Sequence, residues 1–308
     1  LNDTLSLGTL VAYISYIRMF FRPIRDLAEK YNILQNAMSS AERILLILDT
    51  ENTLTKTRLQ ISPPALDRIR EIRIEDVSFS YIGDEKVLKN ITLQINAGET
   101  IAVVGPTGAG KTSLVNLMPR FYDPTSGRIL INDIDIRTLD SAVFRDKMAL
   151  VMQEPFLFSG TIRQNIFEKA GHTTEESVQE IIDAANCRTL IQRLPDGLET
   201  VLTGGGKSIS SGERQLISIA RAFARNPQLI LFDEATSYID SQTEQWIQEA
   251  LEKLMKNRTA MIIAHRLSTV RHVDRIIVLN RGRIIETGSH AELMGRQGFY
   301  YRLSQFQK

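Results

Sequence analysis

The stretch Gly105-Pro106-Thr107-Gly108-Ala109-Gly110-Lys111-Thr112 follows directly on the apolar run Ile101-Ala102-Val103-Val104. The pattern predicts a buried strand, a glycine-rich loop and the first turn of a helix. The first and last glycines of the loop let the backbone curl, so that successive N–H groups point inward at a helix N-terminus and bind phosphate oxygens. We expect Lys111 to reach the β- and γ-phosphates of a nucleotide and the Thr112 hydroxyl to ligate Mg²⁺.

Length and composition place the chain among folded globular proteins, with 308 residues, of which 43% are hydrophobic and 24% charged. The net charge of +1 arises from 37 basic and 36 acidic residues, so no global field attracts nucleic acid. The single cysteine, Cys187, excludes an internal disulfide and fits a reducing compartment. The chain opens with Leu-Asn-Asp instead of a Met and a basic segment, so we expect no signal peptide and a fragment of a longer protein.

The N-terminal region, residues 1–50, combines an apolar run with a heptad-like pattern. Residues 5–21 are mostly apolar and lead into a cluster of arginines. This run of roughly 17 residues is slightly shorter than the ~20 of a membrane span, and the basic cluster is typical of a cytoplasmic end. We expect the end of a last transmembrane helix, the alternative being an amphipathic soluble helix. Beyond Pro23, apolar residues recur every three or four positions up to Leu48, which predicts a connecting helix of about 25 residues.

The remainder divides into a linker, residues 51–70, and one α/β domain, residues 71–308. The linker is rich in Thr, Asn and Ser and contains the pair Pro63-Pro64. An almost wholly helical block is expected over 161–224, and short helices over 291–306. Strands are expected at 72–79, 87–95, 128–131, 148–152, 229–232, 260–263 and 275–279. Strands alternating with helices towards the C-terminus indicate a mostly parallel sheet.

A second polar motif follows the buried strand 229–232, which ends in Asp233 and Glu234. The strand places both carboxylates at its C-terminal edge, beside the loop where Mg²⁺ is expected. Asp233 suits Mg²⁺ coordination through water, because this ion takes few protein carboxylates. Glu234 is then free to polarise an attacking water. The alternative is a pair of solvated acidic residues that end a strand.

With these motifs in order, the chain resembles the nucleotide-binding domain of ATP-binding-cassette (ABC) transporters, specifically exporters whose membrane and ATPase domains share one chain. The family's signature matches Ser210-Ser211-Gly212-Glu213-Arg214-Gln215, in a variant with Ser-x-Gly-Glu, and Ile209 stands where Leu is usual. These residues open a predicted helix that runs to Ala224, whose first N–H groups can bind an anion. From the segment alone, an N-capped helix without a ligand stays the alternative. The resemblance implies that the signature of one subunit caps the γ-phosphate held by the loop of another.

The resemblance assigns further roles residue by residue. Tyr81 matches the aromatic side chain that stacks on adenine, and Ser113 the contact to the α-phosphate. Gln153 matches the glutamine that contacts Mg²⁺ and water and responds to the membrane domain. His265 matches the histidine at the γ-phosphate, and Ser237-Tyr238-Ile239-Asp240 matches the loop that crosses the dimer interface. One departure is Thr203-Gly204-Gly205-Gly206, where exporters usually carry a Glu, so the contact with the membrane domain is undetermined there.

The resemblance implies a P-loop NTPase fold of ABC type, with a mostly parallel sheet core, an N-terminal antiparallel β-subdomain and an α-helical subdomain, preceded by a long helix from the transmembrane domain. It further implies ATP and Mg²⁺ as cofactors and catalytic roles for Glu234, His265 and Gln153. The implied partners are a second nucleotide-binding domain, in a homo- or heterodimer, the transmembrane domain, and the membrane itself through the N-terminal segment. The ATPase domain is expected on the cytoplasmic side of the cell membrane.

Two other functions fit parts of the sequence. A soluble ATPase of the same superfamily that acts on DNA or ribosomes would share the phosphate loop. The apolar run 5–21, the balanced charge and the lack of a long coiled-coil insertion between Lys111 and Ser210 disfavour it. A regulatory module that binds ATP without hydrolysis is disfavoured because Glu234 and His265 are both present. The resemblance implies that selectivity for the transported substrate resides in the membrane helices.

Overall fold

The computed structural model describes residues 6–50, 66–168, 174–206, 208–233, 239–264 and 270–306. It divides into two compact units, Leu1–Thr53 and Leu54–Lys308. Most of the linker predicted over 51–70, and the site residues Glu234 and His265, lie outside the described residues.

The first unit contains one helix, α1 (Leu7–Asp49), of 43 residues. Ser6 caps its N-terminus by accepting a hydrogen bond from the backbone N–H of Thr9 at 3.2 Å. The long N-terminal helix predicted from the sequence is confirmed, and it runs through Pro23, where a proline costs about 3 kcal/mol through a lost backbone hydrogen bond and a steric clash. Among the described residues, no helix has a stretch both long and apolar enough to cross a membrane.

The second unit is built on a six-stranded sheet. Its strands are β3 (Thr100–Val104), β6 (Met148–Val151), β9 (Leu229–Asp233), β10 (Thr259–Ile263), β11 (Arg275–Asn280) and β12 (Arg283–Gly288). The order is β12-β11-β3-β10-β9-β6, and only β12 is antiparallel to its neighbour. The predicted mostly parallel sheet is confirmed and contains five of the predicted strands, whereas β12 was not predicted from the sequence.

The five parallel strands are buried on both faces, which explains why they are continuous apolar runs instead of alternating ones. Ile101 and Val103 on β3 lie in one core cluster, while Ala102 and Val104 lie in the other. Successive side chains of a strand point to opposite faces, so each parallel strand contributes to both cores.

One face is covered by a four-stranded sheet in the order β2-β1-β4-β5. The strands are β1 (Glu71–Phe79), β2 (Leu88–Asn96), β4 (Ser126–Ile131) and β5 (Ile134–Asp135), paired antiparallel throughout. The helix after the phosphate loop, α2 (Lys111–Leu117), places its apolar side chains in the same core. The predicted antiparallel β-subdomain is therefore confirmed.

The other face packs against helices. Among the described residues of the second unit, the helices besides α2 are α3 (Ser141–Asp146), α4 (Ile162–Phe167), α5 (Glu175–Ala184), α6 (Arg188–Arg193), α7 (Ser211–Arg225), α8 (Ser241–Met255), α9 (His290–Arg296) and α10 (Phe299–Phe306), with short 3-10 turns at Ile136–Thr138 and Gly197–Glu199. Of these, α3 packs in the same core as α2 through Phe144. The block predicted as almost wholly helical also contains a two-stranded ribbon, β7 (Gly160–Thr161) with β8 (Val201–Leu202). The prediction missed it because this two-residue pairing joins positions far apart in the chain.

Candidate functional site

The glycine-rich loop joins β3 to α2 and lies at the C-terminal edge of the sheet, where open α/β sheets bind ligands. A Cβ on Gly105 would lie 2.1 Å from the carbonyl oxygen of Leu279, and the residue has φ +155°. A Cβ on Gly110, at φ +100°, would lie 2.8 Å from Leu88 Cδ2. The two fixed glycines of the motif are therefore required because the loop backbone passes directly against neighbouring elements.

Lys111 folds back over the loop. Its ammonium donates hydrogen bonds to the carbonyl oxygens of Gly105 at 2.8 Å and Pro106 at 3.0 Å. Only 6% of the residue is exposed, and this burial lowers the pKa of Lys111, while the charge of Asp233 opposes the shift. A phosphate bound in the loop would supply the anionic partner that offsets the desolvation of this ammonium.

A cleft of about 340 Å³ beside the loop is lined by Thr112, Gln153 and Asp233, together with Phe121 and Met152. The Thr112 hydroxyl donates to an Asp233 carboxylate oxygen at 3.5 Å. The hydroxyl, carboxylate and amide oxygens are the hard donors that Mg²⁺ prefers, so the residues fit this ion. Within the described ranges, no group of three or more His, Cys, Asp or Glu side chains could hold a metal. A Mg²⁺ ion here would therefore need phosphate oxygens and water to complete its shell.

Tyr81 lies beside the first turn of α2, next to Ser113. Its hydroxyl forms a 3.0 Å hydrogen bond with the hydroxyl of Ser113, and 46% of the residue is exposed. Two aromatic rings support it edge to face, Phe79 at 4.8 Å and Tyr122 at 5.1 Å between centroids. Tyr81 is therefore a half-exposed aromatic side chain held beside the first turn of α2, and its stacking on a base stays a prediction.

The signature segment begins α7 through a capping box. The Ser210 hydroxyl accepts from the backbone N–H of Glu213 at 3.2 Å, and the Glu213 carboxylate accepts from the backbone N–H of Ser210 at 2.8 Å. The second oxygen of Glu213 pairs with the Arg193 guanidinium. Ser210 is exposed and its hydroxyl keeps a proton that can be donated to a ligand.

Gly212 lies where α7 meets the start of α8. A Cβ on it would lie 2.4 Å from Thr243 Cγ2 and 3.1 Å from Ile239 Cγ2. Asp240, predicted to bind the nucleotide, caps α8 by accepting from the backbone N–H of Thr243 at 2.9 Å. This hydrogen bond lowers the pKa of Asp240. Its proposed nucleotide contact stays a prediction.

The loop that precedes the signature is tied to α7. The Arg214 guanidinium donates to the carbonyl oxygen of Ile209 at 2.8 Å and to that of Gly206 at 3.4 Å. The segment in which exporters usually carry a Glu is thereby anchored to the helix that the signature opens. Any shift of this loop would act directly on the first turn of α7, although its contact with a membrane domain stays a prediction.

The phosphate loop, Gln153 and Asp233 lie where β3, β6 and β9 end, at one edge of the sheet, and Tyr81 is hydrogen-bonded to Ser113 in the helix after the loop. In the signature segment, Glu213 pairs with Arg193 of α6, and Gly212 lies against Thr243 of α8. Ile263 pairs with Asp233 across β10 and β9, so both strands end at this edge. Glu234 and His265 follow these ends in the sequence and lie outside the described residues.

Sequence reasoning missed Tyr122 and the buried Arg120, which donates to Asp123 at 2.7 Å and supports the turn beside it. The only signal in the sequence is position, since these residues directly precede Pro124 and Gly127, residue types that are typical of a turn. A contact between rings from two distant segments has no local pattern.

Comparison with known proteins agrees with this geometry. The family model described as ABC transporter matches residues 88–237. The chain is 45% identical to the "Uncharacterized ABC transporter ATP-binding protein YfiC" of Bacillus subtilis, over 100% of this chain and 51% of the relative. It is 42% identical to a fatty acid ABC transporter ATP-binding/permease protein of Mycobacterium bovis, over 98% and 47% of the respective lengths.

A solved structure leads to the same family. A bacterial Atm1-family ABC exporter with ATP bound superimposes with a TM-score of 0.77 at 35% sequence identity, covering 98% of this chain and 53% of the exporter chain. The chain spans about half the length of the curated relatives it matches. The motif order, the two-sheet architecture and these similarities agree, and the chain belongs to the ABC transporter family.

Proposed function

We propose that this chain is the ATP-hydrolysing part of an ABC exporter, in which two copies of the domain, or this domain and a related one, close around ATP. One observation carries the proposal: Thr112, Asp233 and Gln153 line a single cleft beside the glycine-rich loop that holds Lys111. Phosphate-binding groups and hard oxygen donors at one sheet edge are the parts that phosphoryl transfer requires.

The loop residues bind the triphosphate in this proposal. The backbone N–H groups of residues 105–113 cradle phosphate oxygens, and Lys111 exchanges its carbonyl partners for the β- and γ-phosphates. Thr112, Asp233 and Gln153 hold Mg²⁺ directly or through water. When bound, this ion neutralises the charge that develops on the transferred phosphoryl group. Tyr81 stacks on the base.

Hydrolysis requires an oriented water, and we assign that role to Glu234, with His265 at the γ-phosphate and Gln153 beside them. Little covalent chemistry is required of the protein, so placement of the water and stabilisation of charge account for the barrier. The first turn of α7, which begins at the exposed Ser210 and continues through Ser211, Gly212 and Glu213, supplies N–H groups and the Ser210 hydroxyl as the second anion-binding surface for a partner's γ-phosphate, while the Glu213 carboxylate holds the cap.

Binding of two nucleotides then draws two domains together, and hydrolysis parts them. In the exporter relatives, ATP-binding and permease segments share one chain, and the helix α1 precedes the ATPase domain here. We propose that α1 connects this motion to a transmembrane domain, with the ATPase domain on the cytoplasmic side.

The test is turnover and oligomeric state of the purified chain with Mg²⁺ and ATP. Turnover per chain should rise with protein concentration, because each site needs a partner's signature. Glu234→Gln keeps the side-chain shape and removes its basicity, so binding should persist while turnover falls by roughly 10² to 10⁴. This variant should run as an ATP-dependent dimer in size-exclusion chromatography.

Asp233→Asn serves as the control, because loss of Mg²⁺ coordination weakens the ATP complex itself. No stable dimer should accumulate with this variant. Parental turnover in Glu234→Gln would exclude Glu234 as the catalytic base. The composite site would be excluded if turnover per chain stayed constant on dilution while sedimentation showed the sample to be monomeric.

A further inference from the structure

Three aromatic rings form a cluster at the proposed base-binding end of the site. Phe79, Tyr81 and Tyr122 contact one another with centroid separations of 4.8, 5.1 and 5.5 Å. Phe79 is 2% exposed, whereas Tyr81 and Tyr122 are 46% and 41% exposed. Two half-exposed rings therefore stand on a buried one, at an interplanar angle of 89° to each other.

The backbone next to Tyr122 is unusually well fixed. Arg120 adopts the left-handed conformation with φ +54° and is 4% exposed. Its guanidinium pairs with Asp123 through two hydrogen bonds, of 2.7 and 3.2 Å, and donates a third to the carbonyl oxygen of Arg137 at 3.1 Å. From the other side, Arg145 donates to the carbonyl oxygens of Pro119 and Arg120, both at 2.8 Å.

This network makes the turn at 119–123 a rigid support, because buried charge-assisted hydrogen bonds restrain both the backbone and the side chains around Tyr122. A non-glycine residue in the left-handed region persists only where its surroundings impose it. This turn carries the ring of Tyr122, which contacts the ring of Tyr81 edge to face.

We propose that Tyr122 is a positioning residue for recognition of the nucleotide base. Its ring, fixed by the Arg120–Asp123 pair, restrains the plane of Tyr81 from one side, while Phe79 and the hydroxyl of Ser113 restrain it from the others. Tyr81 then presents one preorganised face to an aromatic base, so that little side-chain freedom is lost on binding. This inference rests on the proposed function, since it takes the ligand to be a purine nucleotide held by the phosphate loop.

The test compares two ligands by calorimetric titration of the chain in the presence of Mg²⁺: ATP, and tripolyphosphate, which lacks the base. Tyr122→Ala should weaken ATP binding about two- to tenfold, the amount that corresponds to an edge-to-face aromatic pair. Tripolyphosphate affinity should not change. Tyr122→Phe should retain parental ATP affinity, because the ring and not the hydroxyl makes the contact. Tyr301→Ala, at a partly buried tyrosine of α10, is the matched control and should bind both ligands like the parent.

A double variant separates positioning from direct contact. If Tyr122 acts through Tyr81, Tyr122→Ala should have almost no further effect on ATP affinity in a Tyr81→Ala background. Three outcomes overturn the proposal: equal weakening of ATP and tripolyphosphate, which indicates general damage to the fold; additive effects of the two substitutions; or unchanged ATP affinity in Tyr122→Ala. A parent that binds neither ligand would instead contradict the proposed function.

Discussion

Replacing Gly212 with Ala tests whether the signature glycine is required by packing. Gly212 is the second residue of α7, and its φ does not lie in the left-handed region. In an unobstructed helix, alanine would stabilise the fold by up to about 1 kcal/mol relative to glycine. Here the added Cβ would lie 2.4 Å from Thr243 Cγ2, closer than real Cβ contacts, so α7 and α8 must separate or Thr243 must move.

The expected change in the free energy of unfolding follows from two opposed contributions, the steric overlap and the higher helix propensity of alanine. Overpacking of this kind costs about 1 to 3 kcal/mol, which exceeds the gain in helix propensity. We therefore expect Gly212→Ala to lower the free energy of unfolding by about 0 to 2 kcal/mol. In a Thr243→Ala background, the nearest obstructing atom is absent, while Ile239 Cγ2 at 3.1 Å and the Cβ at position 243 at 3.3 Å stay close, so the same substitution should destabilise the fold less. The coupling between the two positions should then be up to about 3 kcal/mol.

The assay is urea denaturation of the parent, both single variants and the double variant. Gly295→Ala is the matched control, because Gly295 also lies in a helix and an added Cβ there meets nothing within 4 Å. It should be neutral or stabilising. Additive effects of Gly212→Ala and Thr243→Ala, or a gain in Gly212→Ala equal to that in Gly295→Ala, would refute the packing argument. Turnover that stays low in a double variant of parental stability would show that Gly212 also acts at the nucleotide.

Three further predictions concern single side chains. Tyr81→Ala should weaken ATP binding by about 1 to 3 kcal/mol and Tyr81→Phe much less, whereas unchanged affinity in the Ala variant would remove Tyr81 from the site. The pKa of Asp240 is lowered because its carboxylate accepts the backbone N–H of Thr243. The ionised Asp240 therefore stabilises the fold above the ordinary pKa of an aspartate, and this contribution is lost as the pH falls through the pKa of Asp240 in the folded state. Denaturation midpoints of the parent and Asp240→Asn should therefore converge at acidic pH, and a constant difference would refute the assignment. The Glu286 carboxylate accepts hydrogen bonds from the backbone N–H groups of Phe299 at 2.5 Å and Tyr300 at 2.9 Å, and so caps the start of α10. Glu286→Ala should therefore destabilise α10 by about 1 kcal/mol and accelerate amide hydrogen exchange there. Unchanged exchange protection would argue against this cap.

The parallel sheet and its phosphate loop could be predicted because their signals are local. A strand buried on both faces is a short apolar run, and the loop between β3 and α2 needs glycines where the backbone touches Leu279 and Leu88. The edge strand β12 was missed because its residues alternate between exposed and half-buried, which resembles a polar connection in the sequence.

Other features depend on contacts between distant segments. Tyr122 meets Tyr81 only because a buried Arg120–Asp123 pair and a left-handed backbone place it there, and neither has a sequence signature. Asp240 shows that a residue assigned by resemblance to nucleotide binding also has a structural task as a helix cap.

The composite site formed by two chains is tested most directly by mixing inactive variants. Lys111→Ala removes phosphate binding, and Ser210→Arg blocks the signature without touching the loop, so each alone should be inactive. A mixed dimer contains one intact site, built from the loop of the Ser210→Arg chain and the signature of the Lys111→Ala chain. An equimolar mixture should therefore regain up to about a quarter of parental turnover per chain, since about half of randomly formed dimers are mixed and one of their two sites is intact. Mixing Lys111→Ala with Glu234→Gln, both defective on the loop side, should restore nothing. If the first mixture hydrolyses ATP no faster than its two components measured separately, ATP is not hydrolysed between two chains.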